Sequence, residues 1–166
     1  YGTMIESVDN ALGALIAKLD ELEVTDNTVI LFTSDNGGLS AHGRGPATDG
    51  SAKHHHNAPL RSGKGSAFEG GTRVPMAVHW PGHTKPGSSS AQPVITYDLF
   101  PTFLALAGVP APTDYAGMLE GEDLSDIFQG GAQLAERPLF WNQPHQWGAP
   151  GPGIEPYTAV RQGDWK

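Results

Sequence analysis

Residues Val29-Ile30-Leu31-Phe32-Thr33 form an unbroken apolar run that stops abruptly at Ser34-Asp35-Asn36-Gly37. β-Branched and aromatic residues without polar alternation predict a strand buried on both faces, as in parallel sheets flanked by helices. Just upstream, Ile5, Val8, Leu12, Leu15, Leu19 and Leu22 recur at spacings of three and four. That stripe predicts an amphipathic helix over about 3–23, lying against a sheet. Thr25-Asp26-Asn27-Thr28 supplies turn chemistry between the two. Helix, short turn and buried strand make half of a βαβ unit, so the expected fold class is α/β.

The carboxyl end of such a strand is where open α/β sheets bind ligands. Asp35 and Asn36 would bring a carboxylate oxygen and an amide oxygen to that edge, a donor set suited to a hard cation such as calcium or magnesium. The competing reading is a plain turn, since Asp and Asn before Gly are common turn residues. A second constellation follows in Asn57-Ala58-Pro59-Leu60-Arg61-Ser62-Gly63-Lys64-Gly65. Glycines on either side of Lys64 let backbone approach a ligand, and the ammonium is a compact charge for an oxyanion. The bland alternative is a solvated lysine in a loop. The segment is not a P-loop, because the spacing and the Ser/Thr after the lysine are missing.

Val74 to Trp80 is a strand candidate with Pro75 near its start, and Pro81-Gly82 closes it. Asp98 ahead of Leu99-Phe100-Pro101 resembles an N-cap with proline in the first turn. Phe100, Phe103, Leu104 and Ala107 would share the face of a helix stopped by Gly108 and Pro110. Leu124 to Phe128 reads as a short helix ending at Gly130-Gly131, and Leu139-Trp141 with Thr158-Arg161 as short strands of a separate antiparallel sheet. Glu69 and Arg73, four apart, are expected to pair and hold a turn. The triplet His54-His55-His56 is read as a solvated or substrate-facing loop, because three adjacent side chains do not converge easily on one metal. His42, His83 and His145 are read as structural or exposed. The tryptophans are read as core or rim residues, with Trp147 a candidate cleft residue.

Composition narrows the function. The 166 residues carry 10 Lys+Arg against 18 Asp+Glu, a net charge of −8 that argues against a general nucleic-acid or anionic-membrane surface. The absence of Cys removes disulfides, thiolate metal sites and cysteine nucleophiles. No apolar stretch approaches the roughly 18 residues of a membrane span. The chain opens on Tyr1-Gly2-Thr3 and ends on Asp164-Trp165-Lys166, within what looks like a strand, and is expected to be an excerpt of a longer protein.

Taken in order, Phe32-Thr33-Ser34-Asp35-Asn36-Gly37-Gly38, Pro59-Leu60-Arg61-Ser62-Gly63-Lys64-Gly65, Glu69-Gly70-Gly71-Thr72-Arg73-Val74-Pro75, Trp80-Pro81-Gly82, Asp98-Leu99 with Pro101-Thr102, and Ala159-Val160-Arg161-Gln162-Gly163-Asp164-Trp165-Lys166 resemble the type I sulfatases of the alkaline phosphatase superfamily. With Tyr1, Met4-Ile5, Val8-Asp9 and Asp26-Asn27-Thr28-Val29, the resemblance covers essentially the whole chain. It implies the C-terminal half of a mixed α/β sheet flanked by helices over 1–135, and the start of a small antiparallel C-terminal subdomain over 136–166.

The resemblance also implies a sulfuric ester hydrolase with a calcium ion, magnesium being the alternative. Asp35 and Asn36 match two of the family's metal ligands, and Lys64 matches its catalytic lysine, which contacts the sulfate and the leaving oxygen. The substrate would be a sulfated small molecule or carbohydrate, and the protein periplasmic or secreted. The family nucleophile is a formylglycine made within a Cys/Ser-x-Pro-x-Arg motif, which this chain does not contain. It is expected in a portion N-terminal to these residues, and this polypeptide alone is expected to be inactive. Rival expectations are a phosphodiesterase or phosphonate monoester hydrolase of the same superfamily, and a non-catalytic binding relative.

Overall fold

The computed structural model describes residues 2–39, 57–115, 117–146 and 155–166. The His54–His56 triplet, His42 and Trp147 lie outside the described residues. In chain order the elements are α1 (Gly2–Glu21), β1 (Ile30–Thr33), α2 (Glu69–Thr72), β2 (Met76–His79), α3 (Leu99–Leu106), α4 (Ser125–Phe128), β3 (Leu139–Gln143) and β4 (Tyr157–Arg161). β1 pairs with β2, and β3 pairs antiparallel with β4. Two compact units result, Tyr1–Leu31 with Val78–Leu134 and Phe32–Ala77 with Ala135–Lys166, the divisions falling inside β1 and β2. No helix among the described residues is long and apolar enough to cross a membrane.

In the first unit the core is Leu124, Ile127 and Phe128, with Leu31, Val78, Trp80, Val94, Leu99, Leu106 and Leu134 packed against it. Burying each large apolar side chain contributes about 1.5–3 kcal/mol. Asp98 is fully buried and does start α3, but its carboxylate does not cap that helix. Its two oxygens accept the Ile95 N–H at 2.9 Å and the Glu122 N–H at 3.0 Å, so the side chain ties two loops together. Thr102, also fully buried, donates to the Asp98 carbonyl at 2.6 Å and accepts the Leu124 N–H at 3.0 Å. This polar spine turns Leu99, Thr102 and Leu106 inward. It leaves Phe100 and Phe103, on the face that the sequence assigned to them together, about half exposed. Gly108 ends the helix at a left-handed φ of 64°, which glycine adopts without a Cβ penalty.

The buried strand and the packed helix are both corrected. No residue of β1 is buried, and Phe32 is exposed. Along α1, Ile5, Val8, Leu15 and Leu22 are exposed. The periodicity was that of a real helix, but of its apolar stripe only Leu12 and Leu19 are even half-buried.

In the second unit, β3 and β4 alternate cleanly. Leu139 pairs with Arg161, Trp141 with Ala159 and Gln143 with Tyr157 on the covered face, while Phe140 opposite Val160 faces out. β4 ends at Arg161, and the chain turns at Gly163 so that Gln162 and Trp165 exchange backbone hydrogen bonds. Asp164 to Lys166 therefore form a turn and return, not a continuing strand. Trp165 is 85 % exposed and is no core residue.

Candidate functional site

The candidate residues Asp35, Asn36 and Lys64 all lie in the second unit. Beyond β1 the Ser34 N–H donates to the Pro75 carbonyl at 3.3 Å, carrying the pairing one residue past the strand. Ser34 Oγ then donates to the Asn36 carbonyl at 2.9 Å, a local hydrogen bond that shapes the turn. Asp35 is exposed. Asn36 is half-buried, and its side-chain oxygen is fully buried without a hydrogen-bond partner among the described residues.

Three glycines let three segments meet here. The Gly37 N–H donates to the Gly71 carbonyl at 3.0 Å, and the Gly70 N–H to the Arg61 carbonyl at 2.9 Å. A Cβ on Gly37 would stand 1.7 Å from the Gly70 carbonyl oxygen, and one on Gly70 would stand 2.2 Å from the Ser62 oxygen. No side chain fits at these positions, so α2 meets the end of β1 and the lysine loop through bare backbone. The Lys64 N–H donates to the Gly38 carbonyl at 3.0 Å. Thus the backbone carrying Lys64 is bonded to the backbone two residues beyond Asn36, and the three residues singled out in the sequence belong to adjoining segments.

Asn57, which the sequence reading gave no role, bridges the same segments. Its Oδ1 accepts the Gly38 N–H at 2.8 Å, and its Nδ2 donates to the carbonyls of Gly38 at 2.7 Å and Ser62 at 3.0 Å. Its place two residues ahead of Pro59-Leu60-Arg61 was the only available signal.

Glu69 does not pair with Arg73 as expected. Its carboxylate meets Arg161 at 3.5 Å and Lys166 at 3.2 Å, linking α2 to the end of β4 and the returning chain. Lys166 also donates to Thr72 Oγ1 at 2.5 Å and lies 4.3 Å over the Trp141 ring. Burial pushes the Lys166 ammonium below its ordinary value more than Glu69 holds it up. Tyr157 on β4 donates to the Ser66 carbonyl at a long 3.4 Å, and burial raises its phenol above the ordinary 10.0. In the first unit, His83 stacks on Trp80 with ring centres 4.0 Å apart, the structural role expected of it.

Asp35 and Asn36 offer a carboxylate and an amide oxygen, both hard donors that suit calcium or magnesium. The unpartnered Asn36 oxygen is the kind of group a cation would satisfy. Among the described residues no group of three or more His, Asp or Glu is arranged to hold a metal ion, so the pair would be only part of a ligand set.

Comparison with known proteins gives a consistent picture. The family described as Sulfatase matches residues 1–109, and the one described as N-sulphoglucosamine sulphohydrolase, C-terminal, matches residues 63–166. The human N-acetylgalactosamine-6-sulfatase is 40% identical over 144 residues, 85% of this chain and 25% of that protein. The mouse steryl-sulfatase is 37% identical over 142 residues, 86% of this chain and 22% of that protein. The crystal structure of Ps i-CgsB in complex with k-i-k-neocarrahexaose superposes with a TM-score of 0.71 at 35% identity, covering 88% of this chain and 30% of that one. The fold is therefore the mixed α/β fold of the alkaline-phosphatase-like sulfatases. The chain spans about a quarter of the length of these curated relatives.

Proposed function

The chain belongs to the sulfatase family, and from that premise we propose that the full protein containing it hydrolyses a sulfate ester. This chain would supply two divalent-cation ligands, Asp35 and Asn36, and an anion-binding lysine, Lys64. The observation that carries the reading is the buried, unpartnered side-chain oxygen of Asn36. Leaving such a group unsatisfied costs about 1–3 kcal/mol, and a cation that takes oxygen ligands removes that cost. Calcium is the ion proposed, with magnesium the alternative. When bound, it supplies positive charge against the oxygens of the sulfate group.

Lys64 does the rest of this chain's work. As the bond between sulfur and the bridging oxygen breaks, negative charge collects on that oxygen. An ammonium held beside it offsets the charge and is a source for the proton the leaving group needs. The glycines at 37, 70 and 71 serve this by fixing the lysine loop against the end of β1. The chain contains neither Cys nor a Ser in the Ser-x-Pro-x-Arg pattern. A formylglycine therefore has no precursor here, and the attack on sulfur is assigned to no residue of this chain. The names of the relatives, an N-acetylgalactosamine-6-sulfatase and a steryl-sulfatase, support a sulfated carbohydrate or small molecule as substrate.

The test is a comparison of turnover by the full-length protein on an aryl sulfate and on aryl phosphate and phosphonate esters. The expected result is faster turnover of the sulfate, lost on chelation and restored by calcium. Faster turnover of the phosphorus esters would move the protein to another branch of the superfamily. No turnover of any would make it a binding protein.

A further inference from the structure

We propose that Asn57 is a positioning residue for the Asp35, Asn36 and Lys64 edge, the side chain that sets the lysine loop in register with the turn after β1. The proposal rests on the sulfatase reading above and adds a residue to it. One amide holds both backbone groups of Gly38, at 2.8 Å and 2.7 Å, and reaches the carbonyl of Ser62 at 3.0 Å. Gly38 is two residues past Asn36, and Ser62 is two residues before Lys64. The Gly38 carbonyl takes the Lys64 N–H as well, at 3.0 Å. The candidate ligands and the candidate lysine are thus tied to a single planar group.

The chemistry of that group is specific. Gly38 N–H needs an acceptor, while the two carbonyls need donors, and among neutral side chains of this length only an amide presents an acceptor and two donors in one plane. A carboxylate of the same shape would set oxygen against two carbonyl oxygens. Ser62 adds a second sign of constraint. It is a non-glycine residue at φ 63°, a left-handed conformation that costs about 1–2 kcal/mol, and the Asn57 amide is bonded to its carbonyl. Strain of this kind persists where surrounding bonds over-determine the backbone, and it clusters at functional sites.

The experiment uses the full-length protein and two variants, Asn57→Asp and Asn57→Ala. Amide hydrogen exchange at Gly38 and Lys64, calcium affinity by calorimetry, and kcat and KM on an aryl sulfate are measured. Asn57→Ala should speed exchange at both amides. Asn57→Asp keeps an acceptor for Gly38 and should speed mainly Lys64. Both should weaken calcium binding and lower kcat by about 10–100-fold, the range for residues that orient metal ligands, with KM changed far less. Leu124→Ala, which hollows the core of the other unit, should lower the melting temperature and leave calcium affinity and kcat alone. Faster exchange with unchanged calcium affinity and kcat would make Asn57 merely structural, and unchanged exchange would mean there is no clamp. If the wild-type protein turns over no sulfate ester, the sulfatase reading fails by itself. Calcium affinity and exchange then decide this proposal, unchanged affinity in both variants overturning it.

Discussion

Among the described residues Asn36 holds a side-chain oxygen buried without a hydrogen-bond partner, whereas the polar atoms of Asp98 and Thr102, more deeply buried, are satisfied. That contrast makes Asn36 the residue to change. Asn36→Leu keeps the shape and removes the unsatisfied oxygen. Without calcium the variant should be as stable as the wild type, or more stable by about 1 kcal/mol, because a buried unpaired acceptor is gone. With calcium the order should reverse, since a ligand stabilises only the protein that binds it. Melting curves of both proteins in chelator and in excess calcium measure this. An Asn36→Leu protein that is less stable under both conditions would mean the oxygen is paired in solution and is no cation ligand. The sequence pointed to Asn36 through its place after an apolar run. It gave no role to Asn57, whose bonds reach 19 residues back to Gly38, because an asparagine in a loop has no periodicity to read.

Elements were legible where their signals are local. The three-four stripe of α1, the apolar runs of β1 and β2, the glycine stops after α3 and α4, and the β3–β4 pairing all follow from neighbours in sequence. Orientation was not, because it depends on partners far along the chain. Phe100 and Phe103 turn outward once Thr102 is drawn to Leu124, 22 residues away. Glu69 leaves Arg73 for Arg161, 92 residues away, because β4 arrives beside α2. β4 also brings Tyr157 to the Ser66 carbonyl, and this contact carries a pH dependence. An acid whose pKa is raised on folding binds its proton more tightly when folded. Its contribution is complete below the ordinary 10.0 and is lost as the pH climbs through the folded value. Between about pH 9 and about pH 12 the unfolding midpoint should fall more steeply in the wild type than in Tyr157→Phe. Parallel curves would mean the phenol is not held as described. Lys166, pushed the other way, regains stability over the alkaline range, so the difference between the two proteins and not either slope alone isolates Tyr157.

The whole molecule explains why the core signals failed. A chain that spans about a quarter of its curated relatives can form their elements without the surfaces those elements pack on. The exposed stripe of α1 and the unburied β1 are consistent with this. The candidate site is legible because Asp35, Asn36 and Lys64 sit in short motifs with glycine neighbours, and the interlock of Gly37, Gly70 and Gly71 needs only residues 37–71. The proposed reaction assigns its nucleophile to no residue of this chain, so Lys64 is tested in the full-length protein. The most direct measurement is the steady-state kinetics of Lys64→Ala on an aryl sulfate. If Lys64 stabilises charge that develops only as the sulfur–oxygen bond breaks, kcat falls by roughly a hundredfold or more while KM stays close to that of the wild type. A change in KM with kcat intact would contradict the account.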